Sequence, residues 1–416
     1  MRIIHTADWH LGRDFYGYDL REYQDRFLDT LLSQIREHQP DALLIAGDVL
    51  DKPNPADSDM DMLSDFLNQA HELTQVVLIS GNHDGASRLG FARGFTKDRV
   101  TIVTKASQVG KAIEVHDRSG DLAGLVYAIP YLYPYADRAQ LSSWVDTRGQ
   151  RHLDASLEGL PARDDGGQPR LPGKAAALFG AALRRIGNDL AARKTTVPVV
   201  GMAHDYLREI PYDTEGEYLG TLQAVSASAV DDLGGSRGDN QGLDYLALGH
   251  LHSPHPVAGT QTPCWYAGSP LPYNVSEPNR KCTLLVEIDA AHQTHIEKLV
   301  LPLSYQVAEL QDDLESLTDA ANPKYAKLRD AFCQITLSET TLPPGAYGRL
   351  KAAFPHLVAL NCSQTPRSGD SSVKIDFREI SPVEFAKGFL RECHTDDAVI
   401  ALLDQVYEAA MEAGTR

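Results

Sequence analysis

Ala42-Leu43-Leu44-Ile45-Ala46-Gly47-Asp48-Val49-Leu50-Asp51 is an apolar run that stops abruptly at a glycine and a carboxylate. A short, non-alternating apolar stretch closed by glycine reads as a strand buried on both faces and therefore parallel to its neighbours. Open α/β sheets place their ligands at the carboxyl ends of such strands. Asp48 thus stands where chemistry is expected. An ionised carboxylate in a dry site costs several kcal/mol unless a positive charge faces it, and a metal ion supplies that charge.

The same construction recurs along the chain. Arg2-Ile3-Ile4-His5-Thr6-Ala7 runs into Asp8-Trp9-His10, and Val76-Val77-Leu78-Ile79-Ser80 runs into Gly81-Asn82-His83-Asp84. Val197-Pro198-Val199-Val200-Gly201-Met202-Ala203 leads to His204, and Leu243-Asp244-Tyr245-Leu246-Ala247-Leu248 leads to Gly249-His250-Leu251-His252. Asp8 and His10 are two apart, a spacing that in extended backbone turns both side chains the same way, and His250 and His252 repeat it. Carboxylate, amide oxygen and imidazole together suit Mn²⁺, Fe²⁺ or Zn²⁺ better than Ca²⁺ or a thiolate-bound metal, with manganese the best match. Asp8, His10, Asp48, Asn82, His204, His250 and His252 are more ligands than one catalytic ion takes, since about three or four protein ligands suffice. They suit two ions sharing Asp48, the arrangement that stabilises both oxygens of an in-line phosphoryl displacement. Phosphoester hydrolysis is the expected chemistry.

With 416 residues, 43% apolar and 23% charged, the chain has the composition of a soluble globular protein with a large domain and one or two smaller ones. It has no run of about 18 apolar residues that would span a membrane, and Met1-Arg2 leads straight into a strand rather than a signal peptide. A cytoplasmic location is expected. The five cysteines are scattered without a Cys-x-x-Cys pair and read as reduced structural thiols. A formal charge of −18 opposes phosphate binding unless metal ions and a partner protein supply positive field.

Alternating strands and helices over roughly the first 130 residues predict a layered α/β domain, with helices over 19–38 and 57–72. Shorter strands at 100–103, 111–115 and 122–129 suggest a second sheet, which strands at 264–267, 282–288 and 296–301 complete. The polar stretch 147–173 is expected to be a surface insertion, the Gly-rich 234–240 a flexible segment, and 174–193 a helix. From about residue 303 the pattern restarts as a small α+β unit: strands at 332–337, 357–362 and 373–377, and a helix over 345–354. Ser381-Pro382-Val383-Glu384 is a capping box that opens a helix to about 393, followed by another to about 411.

The ordered set Asp-x-His, Gly-Asp, Gly-Asn-His-Asp, His and Gly-His-x-His resembles the calcineurin-like metallophosphoesterase superfamily, with the signature spanning Asp8 to His252. The fit of Ile4-His5-Thr6-Ala7-Asp8-Trp9-His10-Leu11-Gly12 and Tyr266-Ala267-Gly268-Ser269-Pro270 extends the resemblance to bacterial nuclease subunits that act with an SMC-like ATPase. The resemblance implies an αββα sandwich with a capping domain and C-terminal helices, and the division 1–302 nuclease domain, 303–380 DNA-binding cap, 381–416 helices that hold the partner's coiled coil. It implies that Asp8, His10, Asp48 and His252 hold one ion and Asp48, Asn82, His204 and His250 the other. His83 lies outside the ligands and approaches the scissile phosphate, with Asp84 orienting its ring. It also implies a homodimer within a heterotetramer, DNA as substrate, duplex ends and hairpins included, and a nucleoid-associated role in DNA repair, recombination and replication.

The residues leave two other readings open. A nucleotide or small-molecule phosphodiesterase would use the same ligands, although it would need no extension after residue 303, and a non-catalytic scaffold would keep the fold. Outside the motif positions, His5 is expected in the core or behind the ligands, and His255 is a weak candidate for substrate contact. Arg13, Arg21 and Arg88 are read either as phosphate contacts or as surface salt bridges.

Overall fold

The computed structural model describes residues 1–91, 99–145, 151–157, 169–208, 218–219, 222–233, 242–302 and 305–363. In chain order the main elements are β1 (Arg2–Thr6), α1 (Arg21–His38), β2 (Ala42–Ala46), α2 (Asp57–Leu73), β3 (Gln75–Ile79) and β4 (Val100–Val103). There follow β5 (Ile113–His116), β6 (Leu122–Ile129), α3 (Ala175–Arg193), β7 (Val199–His204), β8 (Tyr245–Gly249), β9 (His255–Pro256) and β10 (Cys264–Tyr266). The chain continues through β11 (Cys282–Ile288), β12 (Thr294–Val300), β13 (Val307–Asp312), α4 (Leu314–Thr318), β14 (Phe332–Leu337), α5 (Ala346–Ala353) and β15 (Leu357–Cys362).

Two six-stranded sheets pack face to face, in the orders β12-β11-β1-β2-β3-β4 and β9-β10-β8-β7-β6-β5. β1 to β4 are mutually parallel, as are β6, β7, β8 and β10. The parallel strands of each sheet therefore bring their carboxyl ends to one edge. Alternation along β2 shows how the layers form: Ala42, Leu44 and Ala46 pack between the sheets with Val77, Val200 and Met202, whereas Leu43 and Ile45 face α1 and α2. All five residues of β2 have no exposed surface, as a strand covered on both faces requires. Phe27, Leu28, Leu31, Leu32 and Ile35 of α1 cover the outer face of the first sheet, and Leu178, Phe179, Ala182 and Ile186 of α3 cover that of the second. The result is an αββα sandwich.

The segment after residue 305 forms a three-stranded parallel sheet, β13-β14-β15, with Leu310, Leu317, Ile335, Leu350 and Phe354 in its core. β13 was not among the expected strands; only Val307 and Leu310 of its six residues are buried, too sparse an apolar pattern to stand out. Phe15, Tyr273, Tyr305 and Phe332 join this sheet to the sandwich, and Met1–Ser363 forms one compact unit. The expected strand at 373–377 and both C-terminal helices lie outside the described residues, as does 234–240. Within 147–173, Leu157 and Leu171 are buried in the core beneath α3, so the stretch is not wholly a surface insertion. Among the described residues Cys264, Cys282, Cys333 and Cys362 are free thiols.

Candidate metal centre

The carboxyl edge of the parallel strands carries the seven residues singled out from the sequence. The backbone there differs from the extended form expected of Asp8 and His10. β1 ends at Thr6, and Asp8 and His10 have φ of 54° and 46°, in the left-handed region. Asp48 (φ 49°) and His250 (φ 104°) share this feature. Non-glycine residues held there cost about 1–3 kcal/mol each and persist only where surrounding contacts over-determine them. Here the contacts are backbone hydrogen bonds: the N–H groups of Asp8, His10 and Leu11 donate to the carbonyls of Gly47, Asp48 and Val49 at 3.0, 2.9 and 2.9 Å. The side chains of Asp8 and His10 therefore converge through a hydrogen-bonded turn rather than through the two-residue period of a strand.

The motif glycines are explained by close approach. A Cβ on Gly249 would lie 1.9 Å from the Ala46 carbonyl oxygen, one on Gly81 would lie 2.2 Å from Asp48 Oδ1, and one on Gly47 would lie 2.4 Å from His204 Nδ1. Glycine lets the loops close until the functional side chains touch.

The ligand atoms of Asp8, His10 and His252 lie within 4.8 Å of one another, as do those of Asp8, Asp48 and His204. His10 Nε2 is 3.2 Å from His252 Nε2 and 3.7 Å from Asp48 Oδ2. On the other side, Asn82 Oδ1 is 3.1 Å from His204 Nε2 and 3.0 Å from His250 Nδ1, and Asp48 Oδ2 is 3.4 Å from His204 Nε2. The Asp8 carboxylate accepts the His250 backbone N–H at 2.9 Å. Asp8, His10 and His204 thus stand at the Asp48 carboxylate, His252 joins them through His10, and Asn82 joins His204 to His250.

Hydrogen bonds behind the cluster fix which ring nitrogens face it. His204 Nδ1–H donates to the Ala46 carbonyl at 2.8 Å, His83 Nδ1–H to the Asp51 carbonyl at 2.9 Å, and His252 Nδ1–H to Glu277 Oε1 at 3.0 Å. Each bond turns Nε2 inward. Burial, assisted by the charge on His204, pushes His250 down to about 4, so its ring is neutral at pH 7. Burial opposes charge on His204 too, but Asp48 and Asp8 outweigh it and raise His204 to about 9. Asp48 is held below the usual carboxylate range, again against burial, chiefly by His204.

Asp8 and Asp48 are almost completely buried, yet among the described residues their only ion-pair partners are imidazoles, with no lysine or arginine. Two buried carboxylates, an amide oxygen and inward-facing imidazole nitrogens form a set of electron-pair donors without a fixed cation. That set fits divalent metal ions of the borderline class.

Residues 1–254 match the family model of the calcineurin-like phosphoesterases. The chain belongs to the calcineurin-like phosphoesterase family. It is 29% identical over 333 residues to SbcD, the D component of nuclease SbcCD, of Escherichia coli K12, covering 76% of this chain and 72% of that protein, with the same values for the O157:H7 protein. Among solved structures, TT1561 of Thermus thermophilus aligns with TM-score 0.37 and 12% identity over 71% of this chain and 98% of its own.

Of the residues around the centre, Asp84 carries another role than expected. Asp84 makes no hydrogen bond to the His83 ring, which is held instead by the Asp51 carbonyl. Its carboxylate accepts the N–H groups of Gly81, Leu50 and Val49 at 2.8, 2.9 and 3.3 Å, tying the Asp48 and Asn82 loops together. The His83 ring, oriented by the Asp51 carbonyl, has a nitrogen within 4.8 Å of ligand atoms on His10 and Asp48. Arg13 pairs with Asp51 at 3.1 Å, Arg21 pairs with Asp59 at 2.8 Å, and Arg88 donates to the Pro55 carbonyl at 3.4 Å. His5 is buried, 2.9 Å from the Tyr245 hydroxyl, as its place in β1 implied. His255 stacks on Tyr266.

Glu277 was missed, because it stands alone in a polar loop with no motif around it. Besides His252 it pairs with the buried Lys281 at 2.6 Å, and Lys281 also donates to the His252 carbonyl at 3.0 Å. Burial works against ionisation, but the His252 ring and Lys281 hold the Glu277 carboxyl down at about 2. A carboxylate on the far nitrogen of a metal-facing imidazole sets its tautomer and raises its basicity.

Proposed function

We propose that this chain is a two-metal DNA nuclease acting with an SMC-like ATPase, as SbcD acts with SbcC. The gathering of the seven donor side chains in one cluster that includes Asp48, in a chain whose similarity to SbcD extends past the phosphoesterase region, carries this reading. Asp8, His10, Asp48 and His252 hold one divalent ion, and Asp48, Asn82, His204 and His250 hold the other, with Mn²⁺ the best match among the borderline metals. Bound there, the pair supplies an activated water and neutralises charge on the phosphoryl oxygens. His83, with Nδ1–H fixed on the Asp51 carbonyl, presents Nε2 to the phosphate, where it stabilises developing charge or delivers a proton to the leaving oxygen.

In this reading 1–302 is the nuclease domain, 303–380 caps it and contacts DNA, and 381–416 supplies the helices that grip the partner's coiled coil. The protein works as a homodimer within a heterotetramer, in the cytoplasm and at the nucleoid, on duplex ends and hairpins in repair, recombination and replication. The small sheet β13-β14-β15 packed beside the centre favours a polymeric substrate over a small ester, which would need no such addition. The purified protein with Mn²⁺ is assayed on linear duplex DNA and on a small phosphodiester, with and without the ATPase. Cleavage of DNA, made ATP-dependent on duplex ends by the partner, is expected. Hydrolysis of the small ester alone would replace the nuclease with a small-molecule phosphodiesterase.

A further inference from the structure

Beside the Asn82–His204 half of the centre, the chain leaves β6 as Pro130-Tyr131-Leu132-Tyr133-Pro134-Tyr135. Tyr133 is 40% exposed, yet its hydroxyl donates to the Asn82 carbonyl at 3.3 Å, which pins the ring at the mouth of the cluster. Its backbone is fixed as well: Tyr133 N–H donates to Asp137 Oδ2 at 2.9 Å, and Asp137 N–H returns to the Tyr133 carbonyl at 3.0 Å. Leu132 is buried between the two tyrosines, and Tyr131 N–H donates to the Ser80 carbonyl at 2.8 Å. The Tyr131 ring meets Tyr133 edge-on, with centroids 4.9 Å apart and planes at 82°, and lies 6.3 Å from the His204 ring. An aromatic ring is thus buttressed from behind and left open beside Asn82, one of the donor residues of the centre.

The electrostatic setting gives that ring a use. The chain carries −18, and the arginines flanking the motif loops, Arg13, Arg21 and Arg88, are engaged with Asp51, Asp59 and Pro55. Those three guanidinium groups are thus already held by the protein's own acceptors. Stacking of a nucleobase on an aromatic face needs no cation and tolerates every sequence.

We propose that Tyr133 is a stacking platform for the base of the nucleotide that flanks the cleaved phosphodiester, with Tyr131 as its support. The inference rests on the nuclease reading above and deepens it. A base must leave its duplex partner to lie on Tyr133, so the platform favours frayed or single-stranded ends over fully paired ones.

The test compares an oligonucleotide with one that has a single abasic nucleotide next to the cleaved bond. Binding is measured by fluorescence anisotropy in EDTA, and cleavage kinetics with Mn²⁺. The wild type is expected to bind the intact strand about ten-fold more tightly than the abasic one, and to show the same ratio in KM. Tyr133→Ala removes that ratio, and Tyr133→Phe, which keeps the ring, restores it. A Tyr133→Ala protein that still discriminates, or that loses kcat equally on both strands, overturns the platform. Failure of the wild type to cleave either strand overturns the nuclease reading and the platform with it, whereas cleavage without discrimination overturns the platform alone.

Discussion

Replacing Glu277 by glutamine keeps the shape of the side chain and removes its charge. The His252 Nδ1–H then loses an ionised acceptor at 3.0 Å, and the buried Lys281 loses its counter-ion at 2.6 Å. The glutamine amide can present either its oxygen or its nitrogen to His252, so the ring tautomer that directs Nε2 toward His10 is no longer enforced. Removing such a partner behind a metal-bound histidine typically weakens metal binding about 10–100-fold, or about 1.4–2.8 kcal/mol. Because His252 clusters with Asp8 and His10, and in the proposed function serves one ion, the loss is expected at that ion only. Titration calorimetry with Mn²⁺ should show two binding events of which one weakens, in protein whose folded fraction is verified by circular dichroism. Unchanged affinity at both sites would refute the role assigned to Glu277, and equal weakening at both would show that His252 does not belong to one ion.

His83→Gln is expected to retain its Mn²⁺ content by elemental analysis while turnover falls about 10²–10⁴-fold, the usual worth of a positioned acid or base; retained turnover would contradict the role of His83. Gly249→Ala places a methyl 1.9 Å from the Ala46 carbonyl oxygen and 2.8 Å from His204 Nδ1, and should cost about 1–3 kcal/mol in urea unfolding. Because His204 is raised to about 9, its charge adds stability to the metal-free fold that is complete below the ordinary histidine range and is lost as pH rises through about 9. Metal must displace that proton, so Mn²⁺ affinity should climb about ten-fold per unit between roughly pH 7 and 9, with about one proton released. Calorimetry in buffers of different ionisation enthalpy checks this, and a flat pH profile would contradict it.

The sandwich was legible because its central strands are apolar throughout and end abruptly at polar residues, as β2 does before Gly47-Asp48. Strand periodicity also gave β6, β11, β14 and β15 the bounds the structure shows, but not their sheets. β4, β11 and β12, expected in the second sheet, extend the first, because β11 pairs with β1 and β4 with β3 across long sequence separations that no local pattern encodes. The cluster was legible from the order of its motifs, but the means of convergence was not. Positive φ at Asp8, His10, Asp48 and His250 depends on backbone hydrogen bonds between loops distant in sequence, which no local pattern encodes. The same limit hid Glu277 and reassigned Asp84: a lone carboxylate in a loop shows its partners only when the chain is folded. β13 escaped notice because its burial comes from pairing with β14 and from the Phe332 cluster rather than from its own sequence.

In the proposed function two cations share Asp48, and anomalous diffraction from crystals grown with Mn²⁺ tests that directly. Two peaks are expected roughly 3.5–4 Å apart on either side of the Asp48 carboxylate, one contacting His10 and His252 and the other Asn82, His204 and His250. A single peak, or a pair that leaves Asp48 untouched, would contradict it.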